Sequence, residues 1–323
     1  MLGPSGSGKT TLLRIIAGLI SPSEGTVKIG ERDVTRVAPQ HRDIGMVFQN
    51  YSLFPHMSVA ANVAYPLSIR RVPRKERHDR VERALERVNL PGFGDRRPAA
   101  LSGGQQQRVA VARALVFEPS VLLMDEPLGA LDRKLRRHMQ SELRELQRQL
   151  SITCIFVTHD QEEALSMSDR IGVMNNGKVL QVDTPVNLYR APVSSFVANF
   201  IGDTNTFEGT AEKIASGATI VRTDSGLCIP VHSTPEAASG SRVVVVVRPE
   251  LVEVGTPPRD HTISVRVDLE EVTFAGSVLQ VKGRSDGGDL IAAQLSGRNG
   301  VSLACGSSTV FSWLLSDQIV HAN

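Results

Sequence analysis

Apolar positions follow helical spacing in one part of the chain and form short unbroken runs in another. Val81, Ala84, Leu85 and Val88 recur at i, i+3, i+4 and i+7, which predicts a helix with one buried stripe. Residues 121–124 are apolar throughout, which is typical of a strand covered on both faces. Strands that alternate with helices in this way predict an α/β fold.

Other segments of the first two hundred or so residues continue the alternation. The pattern predicts a helix at 9–20 and strands at 27–29, 44–48 and 152–157. Asn176-Gly177 predicts a tight hairpin turn. A helix before residue 152 has an apolar stripe that we interpret as core packing, formed by Leu135, Met139, Leu143, Leu146 and Leu150.

The pattern of apolar and polar residues changes from about Thr206 onward. Short alternating segments, such as 264–269 and 277–282, are separated by Gly, Ser and Pro, which predicts an all-β module, plausibly a small barrel. With 323 residues the chain suits two domains, and we place them at 1–203 and 204–323.

Composition excludes several classes of protein. A formal net charge of +2 argues against a dedicated nucleic-acid binder, and the Arg-rich segment 70–97 is interpreted as a solvated helix face in preference to a polyanion patch. The longest aliphatic run, 243–247, is far shorter than the roughly 20 residues of a membrane span. The three cysteines are far apart and lack CxxC spacing, which predicts reduced thiols without zinc.

The first residues match a phosphate-binding loop, G-x-x-x-x-G-K-[ST]. Glycines allow consecutive N–H groups to point at a triphosphate, Lys9 reaches the outer phosphates, and the Thr10 hydroxyl binds Mg²⁺. An ordinary glycine-rich turn is the alternative, but an apolar helix follows directly, as the phosphate loop requires. The matching residues are Gly3, Pro4, Ser5, Gly6, Ser7, Gly8, Lys9 and Thr10.

Two acids end the apolar run at 121–124. Asp125 is placed to hold Mg²⁺ and Glu126 to polarise an attacking water as general base. An acid pair at the end of a strand is the alternative, which the phosphate loop upstream makes remote.

A third segment, Ser102-Gly103-Gly104-Gln105, opens a predicted helix. Free N–H groups at a helix N-terminus suit an anion such as a γ-phosphate. From the residues alone, an ordinary Ser N-cap is equally favoured.

The order of these motifs resembles that of the ABC ATPase family. The matching segments are the Walker A loop at 3–10, a Q-loop at 47–49, the signature at 101–105, Walker B at 121–126, a D-loop at 128–132 and a switch histidine, His159. The resemblance implies a P-loop NTPase core with a helical subdomain at about 51–100.

The resemblance also implies roles for single residues. Lys9, Gln49, Glu126 and His159 are expected to be catalytic, and Thr10, Gln49 and Asp125 to bind Mg²⁺. Nucleotide contacts are expected from the loop, Thr11, Asp132 and the signature residues Ser102, Gly103, Gly104 and Gln105.

An assembly follows from the same resemblance. The signature of one chain closes over ATP held by the Walker A loop of another, so a homodimer, or a pair with a second ABC ATPase, is expected. Two transmembrane permease subunits would bind it at the cytoplasmic face of the inner membrane, where it is peripheral, and an extracytoplasmic solute-binding protein would act indirectly.

The module after residue 204 resembles the OB-like TOBE domain of importer ATPases, and residues 111–202 look most similar to spermidine/putrescine importer ATPases. ATPases of ferric-iron, sulfate and sugar importers share much of this pattern. The alternative classes are a soluble ABC ATPase of DNA repair or translation and a regulatory protein that senses nucleotide or substrate without hydrolysis. Intact Lys9, Glu126 and His159 speak against a sensor.

In this fold a central strand and an adenine-stacking aromatic residue precede the phosphate loop. Only Met1 and Leu2 precede Gly3 here. We therefore expect an N-terminally truncated version of a longer protein, through a misassigned start or a deletion of roughly 35 residues by comparison with the family.

Overall fold

The computed structural model describes residues 1–127, 133–150, 152–214, 218–232, 238–255, 261–297 and 303–322; within the helix at 133–150 the side chains of 133–139, 146 and 150 lie outside the description. Contacts divide the chain into two compact units, Met1–Pro185 and Val186–Asn323. This division falls ahead of the boundary expected after residue 203, so the residues that connect the two parts pack with the second unit.

The first unit alternates helices and strands, as the pattern predicted. Its elements are α1 (Lys9–Ala17), β1 (Lys28–Ile29), β2 (Arg32–Asp33), β3 (Ile44–Val47), α2 (Val59–Ile69), α3 (Arg74–Arg87), α4 (Gly103–Leu115), β4 (Val121–Asp125), α5 (Arg133–Leu150), β5 (Thr153–Val157), α6 (Gln161–Met167), β6 (Ile171–Asn175) and β7 (Lys178–Asp183).

A parallel three-stranded sheet has the strand order β3-β4-β5. Several of the predicted site residues lie at the carboxyl ends of these strands. Every residue of the central strand β4 is buried, as expected for a strand covered on both faces. Leu2 pairs in parallel with Thr158 after β5 and with Val173 on β6. The chain therefore enters the loop at 3–10 from between these two strands. The expected truncation stays a prediction.

Helix ends differ from the sequence expectation where glycine or a left-handed residue stops the helix. The first helix ends at Ala17 rather than at residue 20, because Gly18 adopts φ 81° and its N–H returns to the carbonyl of Ile15. Likewise, α3 ends at Arg87, ahead of Asn89 with φ 56°. The predicted turn at Asn176-Gly177 is confirmed, joining β6 and β7 with φ 46° and 75°.

The helical block α2–α4 packs on one apolar cluster that includes Val63, Leu85 and Val109. Buried Arg113 fixes the segment ahead of α2, because its guanidinium donates to the carbonyl oxygens of Tyr51 and Ser52, both at 2.7 Å.

Helix α5 shows part of its predicted stripe. Leu143 is buried in the cluster of the helical block, as expected. The side chains of Leu135, Met139, Leu146 and Leu150 lie outside the described residues. None of the helices in the described part of the chain is both long enough and apolar enough to cross a bilayer.

The second unit begins with two short helices and continues entirely in strands. Its elements are α7 (Pro185–Arg190, which starts at the last residue of the first unit), α8 (Ser195–Ile201), β8 (Asn205–Lys213), β9 (Thr219–Thr223), β10 (Cys228–Val231), β11 (Arg242–Val247), β12 (Glu253–Val254), β13 (Thr262–Phe274), β14 (Val278–Ser285), β15 (Leu290–Ser296), β16 (Ser308–Leu314) and β17 (Gln318–Ala322).

Two antiparallel five-stranded sheets, β10-β9-β8-β11-β17 and β12-β16-β13-β14-β15, enclose one core. All five valines of β11 are buried because both faces of the strand are covered: Val243, Val245 and Val247 lie in the core between the sheets, and Val244 and Val246 pack with Ala198 of α8. Trp313 of β16 stacks on Phe207 of β8, with ring centroids 5.8 Å apart. These half-barrel sheets confirm the predicted OB-like β domain.

Candidate nucleotide site

The phosphate-loop segment adopts a conformation that only glycine tolerates at several points. Gly6 and Gly8 have φ 79° and 96°, in the left-handed region. At Gly3 the reason is space, since a Cβ would lie 2.3 Å from the carbonyl oxygen of Met174 and 2.7 Å from Ser7 Oγ. The loop is therefore pressed against β6, and α1 begins directly after it at Lys9.

Lys9 lies beneath this loop, with 6% of its surface exposed. Its Nζ donates to the carbonyl oxygens of Gly3 at 2.8 Å and Pro4 at 2.9 Å, and to Ser7 Oγ at 3.4 Å. Burial lowers the pKa of Lys9, and the carboxylates of Glu126 and Asp125 oppose that shift. The ammonium thus has polar partners on the loop and acidic groups nearby.

The turn between β6 and β7 also holds the loop. Gly177 N donates to the carbonyl oxygen of Ser7 at 3.1 Å. Sequence reasoning found the turn from Asn176-Gly177 but not its contact with Ser7, since nothing local indicates which distant backbone a hairpin turn will meet.

Two of the predicted Mg²⁺ ligands meet at the end of β4. Thr10 Oγ1 donates to Asp125 Oδ1 at 3.2 Å across 115 positions of sequence. Asp125 is buried. The strand-end carboxylate therefore faces the first turn of α1.

Glu126 is the residue at which the expected catalytic side chains come together. Its carboxylate accepts from Gln49 Nε2 at 3.0 Å through Oε2 and lies 3.1 Å from His159 Nδ1 through Oε1. Its backbone has φ 45°, which is uncommon outside glycine, and its N–H donates to the carbonyl of Val157 at 3.0 Å. Such backbone strain often occurs at functional sites.

A small buried network sets the position of His159, and sequence reasoning missed it. Thr158 Oγ1 donates to Glu163 Oε2 at 2.6 Å and accepts from the N–H of Asp160 at 2.9 Å. Asp160 in turn caps α6 by accepting from the N–H of Glu163 at 3.1 Å. The acids after His159 were the available signal, because Asp followed three residues later by Glu predicts a capped helix start.

An open cleft of about 430 Å³ lies over these groups, within the usual range for small-molecule sites of roughly 300–1,000 Å³. It is lined by Ser5, Gly6, Gly8, Lys9, Thr10, Thr11, Glu126 and His159.

The signature residues do not lie at this cleft. Ser102 caps α4 with its hydroxyl and Gln105 returns the bond with its side chain, at 3.3 and 3.0 Å. Ser102 and Gly103 are exposed, Gly104 is buried and Gln105 is half-buried, and none of the four lines the cleft. The D-loop at 128–132, with Asp132, lies outside the described residues.

Known proteins are similar to this chain over most of its length. The family model described as ABC transporter matches residues 1–129. The spermidine/putrescine import ATP-binding protein PotA of Thermobifida fusca is 47% identical over 317 residues, which are 97% of this chain and 82% of that protein. The chain belongs to the ABC transporter family. It is thus a nucleotide-binding ABC-type ATPase, as the motif order predicted.

Further relatives agree with this assignment. PotA of Rubrobacter xylanophilus is 48% identical over 97% of this chain and 83% of its own length. The uncharacterized ABC transporter ATP-binding protein YdcT of Escherichia coli K12 is 44% identical over 97% and 87%.

Among solved structures, the ATP-binding cassette MJ0796, in a dimeric post-hydrolysis state bound to ADP and Pi, is similar to this ABC ATPase. The TM-score is 0.50 at 36% identity, and the match covers 57% of this chain and 83% of that one. This agreement confirms the predicted α/β nucleotide-binding fold.

The oxygen atoms of the Thr10 hydroxyl and the Asp125 carboxylate are donors that suit a hard cation such as Mg²⁺. Within the described residues no cluster of three or more His, Cys, Asp or Glu side chains could hold a metal by itself. Mg²⁺ usually takes one or two protein oxygens together with waters and substrate phosphates. The Thr10 hydroxyl and the Asp125 carboxylate, 3.2 Å apart at the foot of the cleft, match that incomplete set of oxygen donors.

Proposed function

We propose that this ABC ATPase powers an importer by hydrolysing ATP at the cleft over Lys9, with a polyamine such as spermidine or putrescine as cargo. The observation that carries the site assignment is the convergence of Gln49 and His159 on the carboxylate of Glu126. The printed names of the relatives in Thermobifida and Rubrobacter support the cargo class.

The loop and Lys9 bind the phosphates in this proposal. Gly6 and Gly8 turn the backbone so that loop N–H groups can face an anion at the start of α1. Lys9 exchanges its present acceptors, the carbonyls of Gly3 and Pro4, for phosphate oxygens. Because a phosphate carries full negative charge, the exchange favours the bound state. Thr11 lines the same cleft and contributes a further donor.

Thr10, Asp125 and Gln49 would hold Mg²⁺ when nucleotide is present. The ion would neutralise charge on the β- and γ-phosphates. The Gln49 amide donates to Glu126 through Nε2, which leaves its carbonyl oxygen as the group available for a cation.

Glu126 acts as general base on the attacking water, and His159 orients it. An ionised carboxylate only accepts hydrogen bonds, so the 3.1 Å contact requires a proton on His159 Nδ1. The side chain of Glu126 is 22% exposed, which leaves a path for one water to reach it. With Gln49 on Oε2 and His159 on Oε1, the base is fixed in one orientation before water arrives.

A second subunit completes each site. Since Ser102, Gly103, Gly104 and Gln105 do not line the cleft of their own chain, they are available to cover the nucleotide of a partner. The dimeric state of MJ0796 supports this arrangement. Asp132 would contribute at the same interface. The partner is a second copy of this chain or another ABC ATPase.

The membrane partners follow from the importer function. We propose two transmembrane permease subunits, with this chain bound at the cytoplasmic face of the inner membrane and a solute-binding protein acting on the opposite side. Ferric iron, sulfate and sugar are the alternative cargoes.

Uptake by the source organism tests the proposal. Deleting the gene should abolish uptake of labelled spermidine or putrescine, and the parent chain, but not its Glu126→Gln variant, should restore it. Labelled ferric iron, sulfate and maltose serve as controls in the same cells. Unchanged polyamine uptake together with loss of one control solute would assign the ATPase to that other cargo.

A further inference from the structure

Helix α5 makes directional contacts with two neighbouring helices from positions that are two residues apart. Arg108 of α4 donates through Nη2 to both carboxylate oxygens of Glu142 on α5. Two residues further on, Arg144 donates through Nη1 to the carbonyl oxygen of Ser166 on α6. Positions two apart on a helix point about 200° away from each other. The two contacts therefore leave α5 on nearly opposite sides.

Each neighbour leads to a different part of the site. Arg108 lies in the second turn of α4, whose N-terminus carries the signature residues Ser102 to Gln105. Helix α6 begins at Gln161, immediately after His159 and its capping residue Asp160. Through α5, the signature segment and the histidine that contacts Glu126 are thus joined by polar contacts within one chain.

Packing and polar contacts together fix the orientation of α4. Its apolar residues, among them Val109 and Val111, are buried in the cluster of the helical block, but apolar burial has little directional preference. A guanidinium on a carboxylate is directional and charge-assisted. The side chains of Arg108 and Glu142 are 24% and 28% exposed, so solvent screens this pair only partly. The ion pair therefore adds a directional restraint near the signature end of α4, while the bonds of Arg113 act near the other end of the helix.

We propose that Arg108 and Glu142 are positioning residues that hold the signature segment in the orientation needed to cover the nucleotide of a partner subunit. The proposal rests on the proposed function, since it assumes that Ser102 to Gln105 act on the partner's ATP. The Arg144 contact extends the same series of polar contacts from α5 to α6, which begins just after His159.

The test uses the full chain and the single variants Arg108→Met and Glu142→Gln. Binding of a fluorescent ATP analogue to the isolated chain should stay within about twofold, whereas kcat should fall roughly 10- to 100-fold, as misplacement of a reacting group predicts. The exchanged pair, Arg108→Glu with Glu142→Arg, should recover most of the lost kcat. Recovery by exchange would show that the pairing of these two side chains matters, and unchanged nucleotide binding in the single variants would exclude a loss of fold.

A matched control comes from an ion pair that joins no two elements. Arg80 and Glu76 pair one turn apart on the exposed side of α3, 2.6 Å from Nη2 to Oε1. Arg80→Met and Glu76→Gln should keep the parental kcat and nucleotide affinity. If they lowered kcat as much as the α4–α5 variants, the effect would reflect general charge and the proposal would fail.

Other outcomes also decide the question. Parental kcat in both single variants, or an exchanged pair that folds with an unchanged melting temperature but recovers nothing, would overturn the positioning role. If a single variant unfolds, Arg108→Lys replaces it. Lysine keeps the charge without the planar fork, and kcat between those of the parent and Glu142→Gln is expected. Failure of the proposed function itself looks different, because the parent chain would then hydrolyse no ATP.

Discussion

Glu126 Oε1 and His159 Nδ1 lie 3.1 Å apart, although 33 positions of sequence separate the two residues. They meet because β4 and β5 are parallel neighbours, paired through Asp125 and Val157, so that the residues following each strand emerge at the same edge. The N–H of Glu126 also donates to the carbonyl of Val157, which holds the Glu126 backbone next to the end of β5, where His159 follows.

The first prediction concerns the base itself. Glu126→Gln keeps the shape of the side chain and its contact with Gln49 but cannot take a proton. ATP should still bind, and hydrolysis should fall by roughly 10²–10⁴-fold, the usual contribution of a general base. The nucleotide should remain trapped in a persistent dimer, detectable by size-exclusion chromatography with ATP. Glu24→Gln, at an exposed loop carboxylate, is the control. Parental turnover in Glu126→Gln would assign the base to another residue.

A second prediction tests the shared site. Ser102→Arg places a cation and a long side chain on the exposed N-terminus of α4, where a partner's γ-phosphate would dock. ATPase activity should disappear while the isolated chain still binds nucleotide. Because the change also removes a helix cap, worth about 1 kcal/mol, Ser102→Ala is the matched control for the lost cap, and ATPase activity should fall much further in Ser102→Arg than in Ser102→Ala. Turnover by Ser102→Arg that is undiminished and independent of protein concentration would contradict the dimer mechanism.

Local signals predicted much of this fold. The phosphate loop, the turn at Asn176-Gly177 and the buried strand at 121–124 each depend on a few neighbouring residues, and the structure shows all three. The sequence-predicted segments at 264–269 and 277–282 are parts of longer strands, Thr262–Phe274 and Val278–Ser285. A register shift between Leu269 and Glu271 interrupts the alternation within the first of these strands, so its full length could not be predicted.

Contacts between distant parts of the chain could not be predicted from the sequence pattern. Nothing local indicates that Gly3 meets Met174 or that Arg108 meets Glu142, because both contacts depend on how distant elements pack. The convergence of Gln49, Glu126 and His159 was expected only from the order of family motifs. Burial and spacing alone would have left each of them an ordinary polar residue at a strand end.

The third prediction is a pH effect in the second unit. Burial, together with a hydrogen bond to Glu250, raises the pKa of Tyr189 from 10.0 to about 12. A group with a raised pKa in the folded state contributes stability that is complete below pH 10 and is lost as the pH rises toward 12. Unfolding by urea should therefore become easier across this interval in the parent. In Tyr189→Phe the slope of unfolding free energy against pH should be smaller. Equal slopes in the two proteins would contradict the assignment.

The last prediction uses the closest approach in the phosphate loop. Gly3→Ala introduces a Cβ only 2.3 Å from the carbonyl oxygen of Met174 and 2.7 Å from Ser7 Oγ. Both neighbours are constrained, one being backbone of β6 and the other a buried hydroxyl, so the loop itself must move.

Overpacking of this kind costs about 1–3 kcal/mol, and a displaced loop also misaligns its N–H groups and Lys9. We therefore expect a lower melting temperature and, because misaligned N–H groups bind phosphate less well, roughly tenfold weaker ATP binding, which corresponds to about 1.4 kcal/mol. Gly172→Ala is the matched control on the same strand, because a Cβ there would meet only Val182 Cγ2 at an ordinary 3.6 Å. Calorimetry and nucleotide titration of both variants give the comparison. Equal ATP affinity in Gly3→Ala, Gly172→Ala and the parent would show that the loop tolerates displacement and that its contact with β6 does not set the phosphate site.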